Sequence, residues 1–255
     1  MLFESLFEHA AKTPDDIAII DDSGQYTHRQ VAMMSAGLGV YLATCTSKDK
    51  VGLLLPAGVG FAVSFYGTLL AGKSVVPINF LLGERETAHV IGDSGIDAVV
   101  TIPQLAGKLK ETPLKVIDLT QLLKAAAGAP LSGMPKLPSP RPDDLAVLMY
   151  TSGTSALPKG VMLTYGNLQS DVDAAIKHAR LEGRHRFLGI IPLFHSTGLL
   201  GDIDRSHHAG CAGCLHRALQ PGGDAECDSR ASDFAGDCGT QHVWRTGPAE
   251  GCQAR

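Results

Sequence analysis

Apolar residues in this chain recur in two rhythms. Leu2, Phe3, Leu6, Phe7 and Ala10 fall three and four apart, the spacing of one helix face, which predicts a short amphipathic helix at the start. Short β-rich runs follow at residues 17–21, 99–102 and 116–118, each bounded by polar or turn residues. Thr27 stands where a helix cap would, ahead of a helix reaching about Ala43. Strands alternating with helices predict an α/β layered architecture, with helices packed on a sheet.

The longest charge-free stretch, residues 51–72, has 22 residues, more than the about 18 that flag a membrane-spanning helix. Pro56 and the glycines at 52, 58, 60, 67 and 72 break it up. The expectation is a strand at 51–55, a turn, an apolar helix at about 61–71 and a second strand at 74–77, with no membrane span. A linker rich in small residues and proline, AAAGAPLSGMPKLPSPRPDD, ends where a strongly apolar strand begins at 145–150.

Composition then divides the chain. Hydrophobic residues make up 44% of its 255 residues, ample for a sizeable core. The net charge of −4 gives no basic excess for a nucleic-acid partner. Glu4 sits where a secretory signal would carry a cation, so the expected location is cytoplasmic. Beyond Gly201, however, Leu, Ile, Val and Phe occur only as Ile203, Leu215, Leu219, Phe234 and Val243. That is too little for a core, and no periodic pattern survives. The expected division is therefore 1–201 as a folded but partial domain and 202–255 as a poorly structured tail.

The segment richest in chemistry is YTSGTSALPKGV, Tyr150 to Val161, between the apolar strand and an expected helix at 165–180. Thr151, Ser152, Thr154 and Ser155 offer hydroxyls, Gly153 lets backbone approach an anion, and Lys159 supplies a point charge. In a strand-loop-helix setting this suits a polyphosphate. Pro158 before the lysine rules out a Walker A loop. The same composition also suits a polar surface turn.

The segment resembles the phosphate-loop signature, YTSGTTGxPKGV, of the adenylate-forming (AMP-binding) superfamily, which includes acyl-CoA synthetases, luciferases and peptide-synthetase adenylation domains. Ser155 stands for a threonine and Ala156 for a glycine. Other segments resemble the family in order: Tyr26 to Val31, LLAGKSVVPIN at 69–79, DSGIDAVVT at 93–101, and IIPLFHSTGL at 190–199, similar to PxFHxxG. The resemblance implies the layered N-terminal subdomain of such an enzyme, incomplete, with a largely disordered C-terminal tail. It also implies ATP and Mg²⁺, attack of a carboxylate on the α-phosphorus, and capture of the acyl group by coenzyme A. By motif position Thr154 would neighbour the metal-bound phosphates, and His195 would lie beside the acyl pocket and adenylate. The implied acid is a fatty or related acid. A fatty acyl-AMP ligase and an acyl-carrier-protein ligase are the alternatives within the family. Residues 202–255 hold no YGxTE or TGD segment and no lid lysine, which implies severely impaired adenylation.

The genetic code offers a reason for the tail. Gln241, His242, Val243 and Trp244 require CAR CAY GTN TGG; read one nucleotide later, these codons permit SMYG, and residues 238–240 permit AVP. A two-nucleotide shift places Cys or Arg second. Residues 203–209 under the one-nucleotide shift permit LIAPIT. The expectation is a small insertion or deletion near codon 201. Two rivals stand beside it. His207, His208, Cys211, Cys214 and His216 could gather a zinc ion, or the chain could be a non-catalytic nucleotide-binding fragment.

Overall fold

The computed structural model describes residues 3–110, 112–126, 137–151, 157–180, 185–189, 191–199, 201, 212–215 and 243–245, with backbone alone at 124–126, 185–186, 188, 212–215 and 243–245. The N-terminal helix α1 (Glu4–Lys12) buries Leu6 and Phe7 together with Phe3 just ahead of it. Strands β1 (Ile17–Asp21) and β2 (Gly24–Thr27) form a hairpin leading into α2 (His28–Cys45). Thr27 caps α2 as its position predicts: Gln30 N–H donates to Thr27 Oγ1 at 3.3 Å and Thr27 N–H to Gln30 Oε1 at 2.8 Å.

The charge-free stretch resolves into β3 (Lys50–Leu54), α3 (Val59–Leu70) and β4 (Ser74–Pro77). Helix α3 is apolar on all sides because it is covered on all sides: Val59 and every residue from Phe61 to Leu69 are buried. Among the described residues no helix is long and apolar enough to cross a membrane. Then follow α4 (Glu84–Ser94), β5 (Ala98–Thr101), the single turn α5 (Pro103–Ala106), β6 (Lys115–Asp118), α6 (Leu119–Ala126), β7 (Leu145–Thr151), β8 (Lys159–Thr164) and α7 (Tyr165–Ala179).

A six-stranded sheet runs in the order β6-β5-β3-β4-β7-β8, parallel except for β8. Alternation along each strand feeds two cores. Val51 and Leu53, Val75, Ala98 and Val100, and Met149 join the cluster holding α2 and α3, whereas Leu54, Val76, Val99 and Leu148 join one with Val90 and Ile91 of α4. Helices α3 and α4 thus cover opposite faces.

A second sheet orders β11-β9-β10-β1-β2, with β9 (His185–Gly189), β10 (Ala212–Leu215) and β11 (Val243–Arg245). Within residues 202–255 the described segments are the two short strands β10 and β11 alone. Ala212–Leu215 lies parallel to both β1 and β9. Strand pairing joins backbone to backbone and does not need the apolar periodicity that the tail lacks.

Helices α2 and α3 approach through a pair of glycines. A Cβ on Gly67 would lie 3.0 Å from Ser35 O and 3.1 Å from Leu38 Cβ, and one on Gly39 would lie 3.0 Å from Gly67 O and from Leu70 Cβ. We expect Gly67→Val to destabilise the fold by about 1–3 kcal/mol through overpacking. Gly92→Ala, on α4 with nothing within 4 Å, should instead stabilise it by about 0.4–1 kcal/mol. Urea unfolding of both variants checks the contrast.

Candidate functional site

Open parallel sheets bind ligands beyond the carboxyl ends of their strands, and the YTSGTSALPKGV and PLFHSTG segments meet that edge. YTSGTSALPKGV leaves the carboxyl end of β7 and returns as β8. The sequence suggested strand, loop and helix; the structure places a strand first, because β8 pairs antiparallel with β7 before α7 starts. The ladder runs to its last rung, Thr151 opposite Lys159. Directly opposed residues in such a ladder have Cβ atoms about 4.5–5.5 Å apart. The side chains of Thr151 and Lys159 thereby leave neighbouring positions on one face of the ladder at the loop's mouth, and both residues are exposed. Among the described residues, no side-chain hydrogen bond or ion pair holds the Lys159 ammonium. Ser152, Gly153, Thr154 and Ser155 lie outside the described residues, as do most of the tail and the side chains of its Cys and His residues. Among the described residues no cluster of three His, Cys, Asp or Glu could hold a metal ion.

The LLAGKSVVPIN segment fastens β4 at its amino end and carries the following turn to the carboxyl edge. Lys73 Nζ donates to the carbonyls of Thr46 at 3.0 Å and Lys48 at 2.8 Å, closing the turn after α2. Ser74 Oγ donates to Leu145 O at 2.8 Å, fastening β4 to the start of β7. After β4, Asn79 Oδ1 accepts from Leu81 N–H at 2.8 Å. That turn presents Phe80, whose ring meets Phe194 edge-on, centroids 5.3 Å apart at 88°. This contact brings the PLFHSTG segment to the carboxyl end of β4, the strand beside β7.

His195 is exposed there, preceding the single turn α8 (Ser196–Gly198), while Phe194 and Leu199 on either side are buried. Its own N–H donates to Pro192 O at 2.9 Å, and its carbonyl accepts from Leu199 N–H at 2.8 Å. The backbone folds back so tightly that a Cβ on residue 198 would lie 2.5 Å from Pro192 O and 2.6 Å from Ile191 O. The proline-to-glycine spacing of PxFHxxG therefore has a steric origin. It makes a turn that only glycine closes and that holds a histidine outward.

Two residues at the loop escaped sequence reasoning. Asp93 Oδ2 accepts from the Tyr150 hydroxyl at 2.6 Å, and His89 Nε2 lies 3.0 Å from Pro158 O. Burial, then the bond to Asp93, raises the Tyr150 phenol well above its usual range. The helix carrying both residues, α4, had readable punctuation. Glu84 and Glu86 sit in its first turn and Gly95 follows its end with φ of 68°.

A mostly parallel sheet with helices on both faces and its motif loop at the carboxyl edge defines a layered α/β domain. The chain belongs to the AMP-binding enzyme family, whose sequence pattern matches residues 6–224. The match continues past Gly201 and takes in β10. A feruloyl-CoA synthase from Amycolatopsis sp is 33% identical over 202 residues, 76% of this chain and 38% of that protein. A long-chain-fatty-acid–CoA ligase from Bacillus subtilis (strain 168) is 29% identical over 246 residues, 80% of this chain and 44% of the relative. The chain thus spans about two fifths of the length of these curated relatives. Among solved structures, o-succinylbenzoate coenzyme A synthetase from Bacillus subtilis in complex with AMP is 26% identical with a TM-score of 0.73, covering 85% of this chain and 56% of the other. The same synthetase in complex with ATP and magnesium ion, 24% identical, has a TM-score of 0.71 over 85% of this chain and 58% of the other.

Gly198→Ala should cost about 1–3 kcal/mol, because two backbone carbonyls must move. Ser196→Ala, on the exposed side of the same turn, should stay within about 0.5 kcal/mol. Chemical denaturation of the two variants measures the difference.

Proposed function

We propose that this chain is the N-terminal, phosphate-binding part of an AMP-forming acid–thiol ligase. The rung pairing Thr151 with Lys159 at the sheet's carboxyl edge carries this reading most directly. A carboxylate oxygen attacks the α-phosphorus of ATP; the bond from that phosphorus to the bridging oxygen breaks, and pyrophosphate leaves with the electron pair. The thiol of coenzyme A then adds to the acyl carbon, and AMP departs. Both first reactants are anions, so the chain's task is to neutralise and align them.

In this reading Lys159 meets the phosphates as a point charge, and Thr151, Ser152, Thr154 and Ser155 donate hydroxyl hydrogen bonds beside the Gly153 backbone. The donor set fits magnesium-bound triphosphate, with the Thr154 hydroxyl nearest the ion by motif position. Bound magnesium spreads the phosphate charge that these donors complete. His195, held outward at the neighbouring strand end, borders the acyl group and adenylate. The relatives' names support the pairing of a carboxylic acid with coenzyme A, and they differ widely in the acid: feruloyl, long-chain fatty and succinylbenzoate. We assign a fatty or related acid to this chain, with acyl-carrier protein as the alternative thiol. Helix α1, whose apolar face is packed into the core, belongs to the fold, and we assign the chain to the cytoplasm.

We further propose that residues 202–255 are read out of frame, and that this chain is inactive in adenylation. Their scarcity of apolar residues, and the family-like sequence permitted by a one-nucleotide shift, support this. A second reading, an in-frame but divergent tail, is favoured by the family match to residue 224 and by the pairing of Ala212–Leu215 with β1 and β9. Acid-dependent pyrophosphate release, measured on this chain and on one with the downstream frame restored, separates them. Release by the restored chain alone is expected. Equal release by both contradicts the frame break, and no release from either across aromatic and fatty acids contradicts the ligase.

A further inference from the structure

The phosphate loop enters from Tyr150 and leaves at Pro158, and α4 touches both ends. His89 and Asp93 are four residues apart on this helix, so they share one face. We propose that this face is a clamp, in which Asp93 holds the entry of the phosphate loop through Tyr150 and His89 holds its exit through the Pro158 carbonyl. Both are positioning residues for phosphate binding. The inference rests on the nucleotide reading above and adds to it which parts of the chain set the loop's shape.

Three observations fit together. The Tyr150 hydroxyl donates to Asp93 Oδ2 at 2.6 Å, and His89 Nε2 donates to Pro158 O at 3.0 Å, so each end has its own tie to one helix. The helix is itself anchored, since Val90 and Ile91 are buried against Leu54, Val76, Val99 and Leu148. The Tyr150 ring is located by the strand across from it. Gly160 is its direct partner in the ladder, and a Cβ there would lie 3.5 Å from two Tyr150 ring atoms and 3.2 Å from Leu148 Cδ1. The ring thus lies in ordinary contact distance of β8 while its hydroxyl reaches α4, and a Cβ at 160 would press only on Leu148.

The physical consequence concerns geometry rather than fold stability. The Tyr150–Asp93 bond is exposed and contributes little to folding. A loop that must offer several donors to one anion loses affinity when its ends are free to vary.

The test compares Asp93→Ala, Tyr150→Phe, the two combined, His89→Ala and the rescue variant His89→Gln in the full chain. Affinity for ATP and for inorganic pyrophosphate in magnesium is read by calorimetric titration, and the melting midpoint is read alongside. We expect Asp93→Ala, Tyr150→Phe and His89→Ala each to weaken both ligands about five- to tenfold. The combined variant should be no weaker than its singles, His89→Gln should recover most of the loss, and midpoints should stay within a few degrees of the parent. Unchanged affinities, losses that add fully in the combined variant, or losses that only track falling midpoints overturn the clamp. A parent chain that binds neither ligand overturns the nucleotide reading instead. The clamp's geometry is then judged by spectrophotometric tyrosine titration, where Asp93→Ala must bring one phenol ionisation down towards the ordinary range, and no change overturns it.

Discussion

A parallel sheet must be covered on both faces, and that constraint organises everything else in this chain. Five strands run the same way, so their carboxyl ends face one edge, and each return to the other end is made by a helix or a longer connection. Helix α3 is buried almost all round on one face, and α4 closes the other. The consequence is that the loops following these strands share one edge. The TSGTSALP loop follows β7, and the Phe80 turn that receives the PLFHSTG segment follows the adjacent strand, β4. The antiparallel return of β8 adds the one element that direction alone does not supply. It brings Lys159 back beside Thr151.

Much of this was legible wherever backbone chemistry is local. Pro56 and the glycines of the charge-free stretch divide it into strand, helix and strand close to the observed β3, α3 and β4. Thr27 and Gln30 announce α2 by their capping box, and Leu2 to Ala10 announce α1. The β8 return was less legible, since KGVMLT is short and leaves Met162 and Val161 exposed, without the alternation of a half-buried strand. Helix α4 was missed because its mixed polar sequence buries only Thr87, Val90, Ile91 and Ser94.

The family motifs gain physical content from the structure. Lys73 and Ser74 are conspicuous polar residues in an apolar segment, and both turn out to fasten backbone carbonyls. Gly198 is required by two carbonyls that leave no room for a side chain. Asp93 opens the family-like segment at 93–101 in sequence, and its partner Tyr150 lies 57 positions away. Such a contact has no local signal: it depends on α4 crossing back over the sheet. The chemistry of Lys159 was legible from its motif, whereas its position opposite Thr151 required the ladder.

The central claim is that the edge formed by Thr151, Lys159 and the loop between them binds the phosphates of ATP. Titration of magnesium-ATP into this chain and its Lys159→Gln variant tests it most directly. Lys159 is exposed and its side chain holds no hydrogen bond or ion pair with other described residues, so the substitution should leave the fold intact. The account predicts saturable binding by the chain, weakened about tenfold or more in the variant. Equal affinities, or no saturable binding by the unaltered chain, would contradict it.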